Sequence, residues 1–133
     1  AIERALFAAE LDVGDIGAVS AHGTGTALND AAEIRGLTQI FGENRNVPVI
    51  FGTKGALGHS LGACGAIEAI TLLMALRDRV APPTVGLREP MPEAAPFLRP
   101  GRREIHGSAG ISLTLGFGGF NTAIVFSVEG GSA

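Results

Sequence analysis

Residues 47–65 read Val-Pro-Val-Ile-Phe-Gly-Thr-Lys-Gly-Ala-Leu-Gly-His-Ser-Leu-Gly-Ala-Cys-Gly. They pass from a short apolar run, through a glycine-rich loop, into a long apolar segment. Val47 to Phe51 has the length and composition of a short strand. Residues 61–77 are apolar nearly all round, the pattern of a helix buried in a layered α/β fold. Arg77 and Arg79 close that helix with positive charge, which suits the C-terminal end of its dipole. Strand, glycine loop and buried helix together set the expectation of an α/β architecture.

The flanking sequence extends this pattern. Ile2, Ala5, Leu6 and Ala9 share one face at helical spacing, so residues 1–10 read as a short amphipathic helix ended by Gly14 and Gly17. Ile16 to Ala21 reads as a buried strand that runs into His22-Gly23-Thr24-Gly25-Thr26. Asn29 or Asp30 is expected to cap a second helix, with Ala31, Ile34, Leu37, Thr38 and Phe41 on its apolar face and Gly42 at its end. Six of the seven prolines fall between Ala81 and Gly101, which excludes regular helix or central strand there. Val85, Leu87, Met91, Phe97 and Leu98 give that stretch apolar anchors, so an ordered excursion is expected rather than a linker. Ile105 to Leu115 and Asn121 to Val128 then form a hairpin around Gly116-Phe117-Gly118-Gly119-Phe120. The order α-β-α-β-α-β-β means helices packed on a mixed sheet.

Composition excludes several classes of function. With 133 residues, 46% hydrophobic and 17% charged, the chain can bury a core and is not disordered. A net charge of -3, without Trp or Tyr, argues against a nucleic-acid partner. One cysteine excludes an internal disulfide and a four-thiolate metal site. The run from Leu61 to Leu76 is interrupted by Gly62, Gly65, Glu68 and Thr71, too soon for a bilayer span. No export signal opens the chain, so a cytoplasmic domain with no membrane partner is expected. The start at Ala1-Ile2-Glu3-Arg4, already helix-like and without Met, reads as a piece of something longer.

The glycine loops carry the chemistry. Gly23-Thr24-Gly25 follows a strand, but the third glycine of a dinucleotide fingerprint falls at Leu28, and no ribose-binding acid follows. Lys54 is the only lysine beside nine arginines, yet Gly55 follows it where a phosphate-binding loop needs Ser or Thr. His22 closes one strand and His59 sits on the last glycine loop before the buried helix, and strand ends facing helix starts are where open α/β folds build sites. Each could be an ordinary structural residue. As a neutral pair they could instead donate N–H groups to an oxyanion or enolate. Their spacing has no metal-ligand character, so no metal is expected.

Three segments bear a family resemblance. His22-Gly23-Thr24-Gly25-Thr26 with Asn29-Asp30 and Glu33, the lysine–histidine loop at 52–65, and Gly116-Phe117-Gly118-Gly119-Phe120-Asn121 resemble, in order, three motifs of β-ketoacyl synthases. The wording of the second and third, with Pro82-Pro83-Thr84, is similar to type II fatty-acid and polyketide enzymes. The resemblance implies that residues 1–133 form the C-terminal half of a thiolase-like fold. It implies an acyltransferase that joins acyl and malonyl thioesters of acyl carrier protein by decarboxylative Claisen condensation. His22 and His59 then match the catalytic histidines and Lys54 the family lysine. Glu33 matches a carboxylate expected to pair with Lys54 in a buried ion pair, and Asp30 supports that network. Thr24 and Thr26 match contacts to the phosphopantetheine arm, and Phe117, between Gly116 and Gly118, matches the gate whose N–H serves an oxyanion.

Further expectations come with it. The chain binds no cofactor of its own, because substrates arrive on the phosphopantetheine of acyl carrier protein. The nucleophilic cysteine lies in an N-terminal half absent from this chain, so the chain alone is expected to be inactive. Cys64 matches a small-residue position inside the buried helix and is expected to be inert. The complete enzyme is expected to be a homodimer or heterodimer. Gly55 and Phe120 depart from the family pattern, and Gly55 is expected to loosen its loop. Arg99, Arg102 and Arg103 form a solvated face or a landing site for an acidic carrier protein, and His106 is expected at a solvated strand end. A non-condensing subunit of the chain-length-factor kind, or an acyl-binding interaction domain, is the alternative.

Overall fold

The computed structural model describes residues 1–42 and 47–128. In chain order the elements are α1 (Ile2–Ala9), β1 (Ile16–Ser20), α2 (Ala27–Phe41), β2 (Val49–Phe51), α3 (Lys54–Leu57), α4 (Cys64–Asp78), β3 (Val80–Ala81), β4 (Arg103–Glu104), β5 (Ala109–Leu115) and β6 (Asn121–Ser127). The main sheet has the order β2-β1-β5-β6. β1 runs parallel to β2 and β5, and β6 returns antiparallel, so the sheet is mixed. All five residues of β1 are buried, which is why its sequence shows no polar alternation.

The pleat of β1 splits the core in two. Val19 packs with Leu6, Ile34, Leu37 and Phe41 beneath α1 and α2. Ala18 packs with Leu72, Ala75 and Leu76 beneath α4. Gly110 on β5 lies under the second layer, and a Cβ there would stand 2.9 Å from a Leu72 methyl. Close seating of α4 on the sheet therefore requires a residue without a side chain.

Several element expectations change. α2 begins at Ala27 with Thr26 before it, so neither Asn29 nor Asp30 is the cap. The Asp30 carboxylate instead accepts the Gly25 N–H at 3.2 Å, inside the preceding loop. Glu33 is buried on α2 while Thr38 is exposed. α4 starts at Cys64, after a 3-10 turn at Leu61–Ala63, and is buried on one face only. Ile70 and Met74 stand 58% and 50% exposed. A helix apolar all round suits a central layer, and among the described residues only one side of α4 is covered.

The proline-rich stretch is an ordered excursion. β3 and β4 pair at its base, Val80 opposite Glu104 and Ala81 opposite Arg103. Phe97 is buried, and its carbonyl accepts the Ile50 N–H at 3.2 Å and the Arg103 guanidinium at 2.8 Å. Val85 and Met91 are largely exposed, so Phe97, Ala94 and Leu98 are the real anchors. Arg103 thus has a structural bond, while Arg99 and Arg102 are exposed. His106 is exposed as expected. No helix among the described residues is long and apolar enough to cross a membrane.

Candidate active site

The parallel strands β2, β1 and β5 all end at one edge of the sheet, and a glycine loop leaves each there. His22 follows β1, where Gly23 and Gly25 take φ values of 47° and 73°. This curl turns the His22 and Gly23 N–H groups onto one carboxylate: Glu33 on α2 accepts them at 2.7 and 2.9 Å. Burial raises the Glu33 carboxyl above its ordinary range, against the lowering effect of the two backbone donors. Thr24 and Thr26 share a hydroxyl hydrogen bond of 2.8 Å at the exposed end of the loop.

Lys54, at the start of α3, is buried. Its ammonium hydrogen-bonds the Glu68 carboxylate, the His22 carbonyl oxygen at 2.5 Å and His22 Nδ1 at 3.2 Å. Those partners use all three donors of the ammonium. The ion-pair partner is therefore Glu68 and not Glu33, whose two oxygens are already taken by backbone N–H groups. Glu68 sits one turn into α4 and is 1% exposed. Its burial lifts the carboxyl above the usual range, with Lys54 pulling the other way. The only sign of it in the sequence is a single acid within an apolar helix, which reads there as an interruption.

The histidine rings meet edge to face, with centroids 5.5 Å apart and planes at 85°. Burial first, then the Lys54 charge, pushes His22 down to about 4. Its imidazole is neutral at pH 7, and because Nδ1 accepts from Lys54 the proton resides on Nε2. His59 reaches the same arrangement differently, because its Nδ1 accepts the Leu61 N–H at 3.2 Å. With Nδ1 accepting, the His59 ring likewise presents its N–H at Nε2. Two imidazole donors with their Nδ1 sides tied down suit an anionic oxygen.

The His22 shift has a testable consequence. In an NMR titration of the complete protein, His22 should stay neutral until the pH nears 4. Its depressed folded value makes the unfolded chain bind the extra proton first. This residue's contribution to stability should therefore fall as pH drops from about 6.5 toward 4 and level off below that. Protonation of His22 near pH 6.5 in the folded state would refute the burial argument.

A cavity of about 590 Å³ is lined by His59, Thr24, Thr26, Lys54, Ile34 and Leu98, while buried His22 stands behind His59 and does not line it. Val85 covers part of it from the excursion. Gly55 does not loosen this region. A Cβ at Gly55 would overlap the Val85 carbonyl oxygen, so the bare backbone lets the excursion close over α3. Thr84 fixes the same approach by accepting the Gly52 N–H at 3.0 Å.

A model of the β-ketoacyl synthase C-terminal domain matches residues 1–88. The chain belongs to the β-ketoacyl synthase family. It is 45% identical over 131 residues to a 3-oxoacyl-[acyl-carrier-protein] synthase 2 of Mycobacterium tuberculosis, covering 95% of this chain and 30% of that protein. Among solved structures it matches a β-ketoacyl synthase from Burkholderia phymatum with a TM-score of 0.84 and 38% identity, over 94% of this chain and 30% of the other. The ishigamide ketosynthase/chain length factor gives 0.87 and 30% identity, over 97% and 32%. The fold is accordingly thiolase-like, and the chain spans about 30% of the length of the ketosynthases it matches.

One motif cysteine and one motif loop sit apart from expectation. Cys64 is not inside α4 but at its first residue, with its sulfur 3.2 Å from His59 Nδ1. The Gly116–Phe120 turn closes through a 2.7 Å bond from the Gly116 N–H to the Phe120 carbonyl oxygen. It leaves the same sheet edge as the histidines, yet Gly116, Phe117 and Gly118 do not line the cavity, and the Phe117 side chain is fully exposed.

Proposed function

We propose that this segment supplies the decarboxylation half of a ketosynthase site, acting on a malonyl thioester carried by the phosphopantetheine of acyl carrier protein. The observation that carries the reading is the pair of adjacent imidazoles, each with Nδ1 occupied by a donor. The C–C bond to the carboxylate breaks, carbon dioxide leaves, and the electron pair moves onto the thioester oxygen as an enolate. His22 and His59 Nε2–H groups stabilise that oxygen where its charge develops. The enolate carbon then attacks an acyl thioester on a cysteine, and collapse expels the thiolate. That cysteine belongs to the rest of the enzyme, as does the usual dimer contact. Lys54 and Glu68 orient His22. Glu33 and Asp30 hold the loop that carries Thr24 and Thr26 toward the phosphopantetheine arm, and the Phe117 N–H serves the second oxyanion.

A non-condensing subunit has no use for a buried Lys54–Glu68 pair aimed at His22, which favours the catalytic reading. Residues 1–133 by themselves should show no condensation. The experiment is denaturing mass spectrometry of the complete synthase after labelling with a thiol-directed acyl analogue. A rapidly labelled cysteine outside this segment supports the reading. Labelling confined to Cys64, or steady turnover by residues 1–133 alone, would sink it.

A further inference from the structure

Cys64 is the only cysteine in the chain, and its sulfur touches Nδ1 of His59 at 3.2 Å. Leu61 donates its N–H to the same nitrogen at 3.2 Å, from a left-handed backbone conformation with φ 49° that is unusual for leucine. Ser60 donates its hydroxyl to the Cys64 sulfur at 3.5 Å. The direction of the sulfur contact follows from these bonds. An Nδ1 that accepts from Leu61 carries no proton, so the thiol must be the donor. The Ser60 hydroxyl behind it polarises the S–H toward the ring.

We propose that Cys64 is a positioning residue, whose thiol shares the Nδ1 lone pair of His59 with the Leu61 N–H and reinforces, at the cavity wall, the Nε2–H tautomer that Leu61 selects. Its catalytic meaning rests on the reading of His59 as a donor to the thioester oxygen. The tautomer itself can be read without any turnover. A purely space-filling role makes different demands. A buried cysteine that only fills volume is replaced nearly as well by alanine, and worse by serine, which would bury a hydroxyl for no purpose.

The test compares Cys64→Ala and Cys64→Ser in the complete synthase, with malonyl-thioester decarboxylation and the ¹⁵N shifts of labelled histidine as readouts. The alanine variant should lose about three- to tenfold in rate, the scale of one lost neutral hydrogen bond. Its His59 should show a larger share of protonated Nδ1. Serine should recover the rate to within about twofold of the parent and restore the parent nitrogen shifts. An alanine variant with parental rate and shifts would overturn the proposal, as would a serine variant no faster than alanine. If the parent fails to decarboxylate, the functional reading fails and the nitrogen shifts alone decide. Protonated Nδ1 in the parent then refutes positioning, and bare Nδ1 that changes in the alanine variant supports it.

Discussion

Glu68→Ala is expected to destabilise the complete synthase by about 3–5 kcal/mol, the usual cost of removing one partner from a buried ion pair. Glu68 is 1% exposed and Lys54 9%, and no other acid among the described residues hydrogen-bonds that ammonium, so it loses its one carboxylate partner. The Lys54 ammonium would keep only the His22 carbonyl and Nδ1 as partners. Much of the cost is that stranded charge and not the worth of the pair itself. Lys54→Met combined with Glu68→Leu should therefore cost less than Glu68→Ala alone, since both desolvation penalties disappear together. Urea denaturation of the parent and these variants checks both statements. A loss below about 1 kcal/mol for Glu68→Ala would contradict the buried pairing.

His22→Ala and His59→Ala should each slow malonyl decarboxylation by about 10²–10³-fold, the range for removal of one preorganised donor to a developing anion. If both rings serve one oxygen, as proposed, the double variant should lose less than the product of the two. The rings differ in how they are held, and this gives the pair a second signature. His22 is buried and tied to Lys54, so its loss should also lower stability. His59 is exposed at the cavity and held from the Nδ1 side by Leu61, so its loss should fall mainly on rate. Acylation of the enzyme's nucleophilic cysteine should survive both changes. The rate of labelled carbon dioxide release measures the effect, and a loss under threefold for either variant would remove that histidine from the chemistry.

Much of the site was legible before the structure. His22, Lys54 and His59 were picked out by their placement on glycine loops, and β1, α2, β2 and the hairpin lie close to where periodicity put them. The resemblance pairs Glu33 with Lys54, because a motif names a neighbouring carboxylate without fixing which one the fold brings up to the ammonium. The Glu33 oxygens are used by backbone N–H groups of the loop it supports. Glu68 reads in sequence only as an interruption, since an acid in an apolar helix shows its role only once a cation lies opposite. Cys64 lies on the expected helix but at its first residue and not inside it, because the 3-10 turn at Leu61–Ala63 delays the start of α4.

The order of helices and strands and the placement of His22, Lys54 and His59 on glycine loops can be read along the chain from local spacing, composition and turn chemistry, while the family rests on the resemblance of three motifs. Which carboxylate meets Lys54, which nitrogen of each imidazole holds the proton, and why position 55 must lack a side chain are settled in three dimensions. Lys54 and Glu68 are 14 residues apart, and Lys54 and His22 are 32 apart. Gly55 is bare because the chain returns 30 residues later and lays the Val85 carbonyl on it. Contacts of that range arise when α4 and the excursion close on the sheet, and no local pattern records them.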